Sequence, residues 1–362
     1  MEIKPAYDVR DWMHQHPEPS GQEFGITLFL EEMCRNIPEV TIYKPLPTGL
    51  VASYEPIPKG SYSLFRADLD ALPVYSSSEN KQYRHVCGHD IHTAILWDFL
   101  LQCMTQRIAK NLIFLFQPAE ESGGGALQML QTGLFDQWNI KKAFALHVTD
   151  AYPFGTVASA YPSLFSASCE VDLEWKGMSA HITMPDRGKD AWQACCQFQT
   201  IWGKKYNSTD QDIFLGIGKV QAGHIRNSIP DYTRMEMTLR GKTEEALSTG
   251  LQNIGTLCEL VQAFSGVTYQ ISLGSHYPPV RQDQILFKEW ERTCHSMNKI
   301  IVPTAWTAED FSFFTQRYPS LMCWLGCRKD GMPELGLHHP DFNPPSDIIP
   351  YGSNFFMNCL NL

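Results

Sequence analysis

The chain has 362 residues, more than one hydrophobic core usually organises, so two domains are the first expectation. Its composition, 43% hydrophobic and 19% charged, is that of an ordinary globular protein, and a formal net charge of −10 excludes the basic face that nucleic-acid binding needs. Eleven scattered cysteines do not form a disulfide framework, no apolar run approaches the roughly 20 residues that span a bilayer, and Met1–His16 lacks the apolar core of a signal peptide. These features predict a soluble cytoplasmic protein with neither nucleic-acid nor membrane partners.

Taken in chain order, the first half alternates strand and helix. Ser61–Arg66 reads as a short strand running into Ala-Asp-Leu-Asp (67–70). Ile91–Met104 carries apolar residues at 91, 95, 96, 99, 100 and 103, the spacing of a helix. Asn111–Phe116 is a continuous apolar run, as expected of a strand covered on both faces in a parallel sheet. Gln-Pro-Ala-Glu-Glu and three glycines follow, then a helical segment at Ala126–Thr132, then a buried strand Ala143–Leu146 that ends at His147. Polar residues thus gather just after strand ends, the edge where open α/β sheets bind ligands.

Near residue 165 the pattern changes. Cys169–Trp175 alternates as a half-exposed strand, Asp190–Lys204 reads as a helix, and Ile213–Val220 and Thr233–Arg240 read as strands. Thr243–Phe264 is a long amphipathic helix with Glu244 and Glu245 in its first turn, and Val267–Leu273 is a last strand. Strand–helix–strand–strand–helix–strand is the order of a ferredoxin-like unit. After Pro278-Pro279 a helix (Gln284–Met297) and a buried strand (Leu321–Leu325) resume the first pattern, and Cys323 and Cys327 fall there as core residues. The expected architecture is a discontinuous α/β catalytic domain (1–165 and 279–362) with an α/β domain (166–278) inserted in it.

The densest chemistry lies in His-Val-Cys-Gly-His-Asp-Ile-His (85–92), where His85, Cys87, His89, Asp90 and His92 fall within eight residues around a glycine. A thiolate and an imidazole two residues apart suit a divalent ion such as zinc, cobalt or nickel. Glu120-Glu121 is a carboxylate pair placed after a buried strand and before a glycine run. Taken singly, His147 is compatible with a core histidine, and His338 and His339 with a surface loop.

Six segments, these among them, fit one site in order: Arg-Ala-Asp-Leu-Asp-Ala-Leu-Pro (66–73), His-Val-Cys-Gly-His-Asp-Ile-His-Thr-Ala (85–94), Phe-Gln-Pro-Ala-Glu-Glu (116–121), Ala-Leu-His-Val (145–148), Ala-Glu-Asp-Phe-Ser-Phe-Phe (308–314) and Leu-His-His-Pro (337–340). Together they resemble the amidohydrolase branch of the dinuclear metallopeptidases, which includes aminoacylases, hippurate hydrolases, auxin-conjugate hydrolases and N-acetyl-diaminopimelate deacetylases. The resemblance runs from His14 to His338. It implies a metallopeptidase-type α/β catalytic domain with a ferredoxin-like lid that dimerises, and cleavage of N-acyl amino acids or short peptides. Cys87, His89, Glu121, His147 and His338 fall on its ligand positions for two divalent ions (zinc, manganese, nickel or cobalt), and Glu120 on its general base. Asp68 and Asp70 are the expected supports for histidine ligands, and Asp90 either another or the N-cap of the helix that follows.

In the inserted domain, Lys-Gly-Met-Ser-Ala-His (176–181) resembles the lid motif whose histidine reaches a scissile carbonyl across a homodimer. Arg226–Pro230 and Leu239-Arg240 resemble the segments whose asparagine and arginine, here Asn227 and Arg240, hold the substrate carboxylate. Two departures bear on the substrate. The stretch between Pro73 and Cys87 is shorter than is usual, with Tyr75 and Ser76–Ser78 in place of an early acidic residue, and His339 stands where a small or polar residue is usual. A dipeptidase or aminopeptidase on the same scaffold, and a metal-dependent binding protein without catalysis, are the competing readings. Retention of both Glu120 and Glu121 weighs against the second.

Overall fold

The structure, a computed structural model, describes residues 4–77, 80–206, 212–293 and 297–362. Its strands are β1 (Val40–Tyr43), β2 (Leu50–Tyr54), β3 (Tyr62–Asp68), β4 (Leu72–Ser77), β5 (Asn80–Arg84), β6 (Asn111–Gln117), β7 (Ile140–Pro153), β8 (Thr156–Ser159), β9 (Ala167–Lys176), β10 (Ile213–Ala222), β11 (Tyr232–Gly241), β12 (Thr268–Tyr277), β13 (Asn298–Ile301) and β14 (Ser320–Arg328). Its helices are α1 (Ala6–Gln15), α2 (Phe24–Cys34), α3 (His89–Thr105), α4 (Gly125–Gln131), α5 (Ala191–Tyr206), α6 (Glu244–Ser265), α7 (Gln284–Thr293), α8 (Ser312–Arg317) and α9 (Ile349–Cys359).

The chain separates into two units. The first comprises Met1–Leu164, Arg281–Pro303 and Asp310–Leu362; the second comprises Phe165–Val280 and Thr304–Glu309. The short return segment 304–309 belongs with the second unit because Ser166 N–H donates to Ala305 O (2.9 Å) and Phe214 faces the Trp306 ring.

In the first unit, the sheet among the described residues runs β1-β2-β6-β3-β7-β14-β8-β13. Its central strands β6, β3, β7 and β14 are mutually parallel. Every residue of β6 is buried, since helices cover both faces, and this explains its unbroken apolar sequence. The chemistry-bearing segments leave the C-terminal ends of β3 and β6, or lie along β7. The second unit is antiparallel in the order β10-β11-β9-β12, the arrangement of a ferredoxin-like fold, with α5 and α6 against it. Val171, Leu173 and Trp175 of β9 and Met235, Met237 and Leu239 of β11 form its core. Thr243 caps α6 by accepting the Ala246 N–H at 3.1 Å.

Several boundaries differ from the sequence reading for identifiable reasons. β3 continues through Arg66 and Asp68, because these charged residues pair inside the protein rather than ending the strand. His147 lies in the middle of β7, not at its end; Thr149 and Asp150 remain buried in the strand, which pairs with β14 as far as Pro153. The helix expected to reach Met297 closes as α7 at Thr293; residues 294–296 lie outside the described residues, and Asn298 starts an edge strand. Ser78 likewise lies outside the described residues, so the shortened loop that carries it is described only in part.

Gly88 joins the fold to the site. It precedes α3 with φ +87°, a left-handed conformation, and a Cβ there would stand 2.4 Å from Val148 Cγ2 of β7. No side chain fits between the helix start and the strand. Gly88→Ala is therefore expected to lower the unfolding free energy by about 2 kcal/mol or more, from backbone strain plus overpacking. Urea unfolding followed by tryptophan fluorescence measures this, and an unchanged midpoint would refute it.

Candidate metal centre

The site is built from four separated segments of the first unit. Cys87 occupies the loop before α3, and His89 is the helix's first residue. Glu120 and Glu121 follow β6, His147 projects from β7, and His338 lies in the loop after β14 with φ 68°. Ligand-type atoms converge there in two groups that share one residue. One is Cys87, His89 and His147; the other is Cys87, Glu121 and His338. His89 with Glu120 and Glu121 forms a further overlapping group. Cys87 Sγ lies 3.4 Å from His147 Nε2, and His338 Nε2 lies 3.3 Å from Glu121 Oε1.

Hydrogen bonds around the cluster fix which ring nitrogens face it. His89 Nδ1–H donates to Asp70 Oδ1 at 3.1 Å, leaving the Nε2 lone pair pointed inward, 3.8 Å from Glu121 Oε1. His147 Nδ1–H donates to Val148 O at 2.8 Å, so its Nε2 lone pair also faces the cluster. His92 is different. Its Nδ1–H donates to Asp68 Oδ1 (2.6 Å) and its Nε2 accepts the Val148 N–H (2.9 Å), so both nitrogens are committed. The apparent group Asp68, His89 and His92 is thus a support, not an open donor set.

The atoms left over define what fits. His89 Nε2 and Glu121 Oε1 are buried, and neither has a hydrogen-bond partner among the described residues. Buried polar atoms are seldom left so. A carboxylate oxygen with ring nitrogens of His89 and His338 turned toward it, and with no hydrogen bond made, is a donor set that a cation would satisfy. The electrostatics agree. Burial disfavours a charged His89, yet the Asp68, Asp70 and Glu121 carboxylates overcome it and raise the imidazole to about 10, so they favour positive charge at Nε2, a proton or a metal ion in its place. Burial, reinforced by Glu121 and Glu120, pushes the Cys87 thiol well above its ordinary value; a divalent ion inverts that balance by favouring the thiolate. Thiolate, imidazole and carboxylate together suit a zinc-like divalent ion.

Asp68 and Asp70 take the supporting places expected of them. Burial would raise Asp68, but His89, His92 and Arg66 hold it well below the usual carboxylate range. Asp70 accepts from His89, from the Ser20 hydroxyl (2.6 Å) and from the Glu121 N–H (2.9 Å). Asp90 is a correction. It neither caps α3 at the N-cap, which is Gly88, nor orients a histidine of the cluster; it accepts from His14 Nδ1 at 2.8 Å with Arg10 Nε 3.5 Å away. As the second helical residue, its side chain turns away from the donor groups toward α1. His338 is separated from His339 by geometry, since His339 Nδ1 accepts the Asp341 N–H instead of facing Glu121.

The sequence reading gave no role to Arg66, Gln117 and Asp310, which form a closed network beside the cluster. The wholly buried Arg66 donates to Gln117 Oε1 (2.9 Å), Asp68 Oδ2 (2.8 Å) and Asp310 Oδ1 (2.9 Å). Alternation of Arg66 and Asp68 on one strand face was the available signal.

In the second unit, His181 and Asn227 lie on neighbouring segments. Ile182 N–H donates to Asn227 O (3.0 Å), His181 bridges Ser228, and both side chains are exposed. Arg240 is elsewhere. It sits near the far end of β11, paired with Ser168, about 26 Å at the usual rise per residue from Tyr232, where the segment that carries Asn227 enters the strand. Burial lowers its guanidinium pKa, against the pull of Glu170.

An α/β scaffold that gathers thiol, imidazole and carboxylate donors at strand ends, with a second glutamate beside them, defines a metallohydrolase type of site. Residues 64–361 match the sequence profile of peptidase family M20/M25/M40, and the chain belongs to that family, as a hydrolase of amide C–N bonds. It is 30% identical to N-acetyldiaminopimelate deacetylase of Exiguobacterium sibiricum over 361 residues, covering 96% of each chain. It is also 30% identical to the enzyme of that name from Anoxybacillus flavithermus, over 94% of this chain and 93% of the relative. Among solved structures it resembles the Bacillus subtilis YXEP protein, a dinuclear metal binding peptidase from the M20 family, with a TM-score of 0.84, 24% identity and coverage of 98% and 96%.

The support of His89 by Asp70 can be measured directly. Asp70→Ala should weaken divalent-ion binding by about 10- to 100-fold, since it frees the imidazole to rotate and change tautomer. Competition with a chromophoric chelator reads the affinity; binding as tight as in the unaltered protein would remove Asp70 from this role.

Proposed function

We propose that the chain hydrolyses the amide bond of N-acyl amino acids, N-acetylated ones first, using two divalent ions held by Cys87, His89, Glu121, His147 and His338. The observation that carries this reading is the buried His89 Nε2 opposite Glu121 Oε1, neither with a hydrogen bond, beside a second glutamate. Zinc, manganese, nickel and cobalt are all compatible with the donor set, the thiol favouring zinc, nickel or cobalt. The deacetylase names of the relatives support an N-acetyl substrate over a free peptide.

When bound, the ions supply an activated water and polarise the substrate carbonyl. Glu120 takes the proton from that water as its oxygen adds to the carbonyl carbon, and returns it to the amide nitrogen as the C–N bond breaks. The products are a carboxylic acid and an amino acid. The neighbouring Glu121 is assigned to metal, which leaves Glu120 to move the proton.

The test is a screen of metal-depleted protein reloaded ion by ion, assayed on N-acetyl and N-benzoyl amino acids against free dipeptides. Turnover of dipeptides alone would sink the N-acyl assignment, and turnover of neither class would favour a binding protein. Within that assay the two glutamates separate. Glu120→Gln should keep its metal and lose about 10²- to 10⁴-fold in kcat. Glu121→Gln should lose metal and regain part of its activity in excess metal. Metal loss in the Glu120 variant alone would mean the pair is assigned the wrong way round.

We further propose that the protein acts as a homodimer in which His181 and Asn227 serve the centre of a second copy. The support is the separation of Asn227 from Arg240 along β11, which prevents one chain from closing both on one carboxylate. Mixing His181→Ala with Glu120→Gln protein should restore activity in hybrid dimers. No recovery, with subunit exchange demonstrated, rejects action in trans.

A further inference from the structure

The loop that carries Glu120 departs from ordinary backbone geometry just before it. Ala119 is a buried non-glycine residue with φ 54°, a left-handed conformation in which an alanine is strained. Both its peptide groups are gripped. Its C=O accepts the Gly125 N–H at 3.0 Å, and its N–H donates to Glu23 Oε1 at 2.7 Å. Gly125 presses so closely on this turn that a Cβ there would stand 1.7 Å from Pro118 O. Strain of this kind persists only where surrounding contacts over-determine it.

Glu23 is fully buried, and it belongs to none of the donor groups of the metal centre. It also stands at the N-cap of α2 without capping it. Glu18 performs that task instead, its two oxygens accepting the Gly25 N–H (2.8 Å) and the Ile26 N–H (2.9 Å). The Glu23 carboxyl is thereby free to reach across to Ala119, and the same Oε1 accepts the Gly21 N–H at 2.9 Å.

We propose that Glu23 is a positioning residue for Glu120: its carboxyl oxygen holds the Ala119 N–H, and so fixes the strained turn from which the Glu120 side chain projects. The inference rests on the reading of Glu120 as general base. Burial raises the Glu23 carboxyl from its ordinary value, and in either protonation state it keeps an oxygen that accepts the Ala119 N–H. What matters is the acceptor, not the charge, so glutamine at this position should suffice.

The experiment compares the metal-loaded full chain with Glu23→Ala, Glu23→Gln and the double variant Glu23→Ala with Ala119→Gly. Steady-state kinetics on an N-acetyl amino acid, metal content, and hydrogen exchange of the peptide spanning 112–124 are read for each. Glu23→Ala should lose roughly 10- to 100-fold in kcat, with KM and metal content nearly unchanged, and should lose protection in 112–124, because a small misplacement of a reacting group is costly. Glu23→Gln should keep both activity and protection. The double variant should recover part of the lost kcat, since glycine adopts the left-handed turn without strain. If Glu23→Ala does not fold, Glu23→Met, which keeps bulk without the acceptor, carries the same expectation.

Unchanged kcat or unchanged protection in Glu23→Ala overturns the proposal, as does a Glu23→Gln variant damaged equally, or metal loss that accounts for the fall in activity. Failure of the amidohydrolase reading shows separately, as a reloaded wild-type protein inactive on amides. The exchange comparison then decides on its own: lost protection upholds the latch on Ala119, and retained protection removes it.

Discussion

Burying a carboxylate is costly unless it is both paired and hydrogen-bonded, and Asp68 and Asp70 are closed off from solvent two residues apart where β3 ends. Their partners are therefore compelled rather than incidental. Asp68 is neutralised by Arg66 on one oxygen and engages His92 on the other. Asp70 spends its oxygens on His89, Ser20 and the Glu121 N–H. Because the pair satisfies its own needs in this way, His89 is held with one nitrogen bound and one exposed to the donor cluster. The open valence of the centre follows from the closed valence of its supports.

The parallel sheet makes such an arrangement possible. Gln117 ends β6 opposite Asp68 in register, so the two strands deliver an amide and a carboxylate side by side to one guanidinium. The chain beyond β6 then turns tightly through Ala119, and two consecutive glutamates reach His89, at 4.0 Å from Glu120 Oε2 and 3.8 Å from Glu121 Oε1. Adjacent residues on a regular strand would point to opposite faces. The bends that follow the left-handed Ala119 are neither strand nor helix, and there both carboxylates face one cluster.

Local sequence made the core strands readable, since β6 and α3 announce themselves by an unbroken apolar run and by helical spacing. The Cys87–His89 pair was equally legible, because both residues sit in one short motif. His147 was harder. Its strand continues through Thr149 and Asp150, whose burial depends on distant partners such as the Leu335 N–H, and polar residues without visible partners read as a strand end. Asp90 misled for the opposite reason: proximity in sequence to His89 suggested support, while the helix turned it toward His14. Glu23 carried no local signal, since its decisive contact lies 96 residues away, and the alternation of Arg66 with Asp68 gave no sign of the Asp310 contact 244 residues away. No periodicity encodes such pairings.

The same long-range wiring means that the supports of the centre do not act independently. The N-terminal loop touches it twice, through Ser20 on Asp70 and through Glu23 on Ala119, while Asp70 in turn holds the Glu121 N–H. Residues 119 and 121 are thus tied to one short segment by two routes that meet in the loop between them. A shift of that segment moves the turn and the carboxylate together, whereas loss of either route leaves the other to resist. Residues joined in one hydrogen-bonded network commonly couple by 0.5–3 kcal/mol. The effects of losing Ser20 and Glu23 should accordingly exceed or fall short of their sum, and the sign of that difference tells whether the two contacts reinforce one geometry of the loop or duplicate each other in holding it.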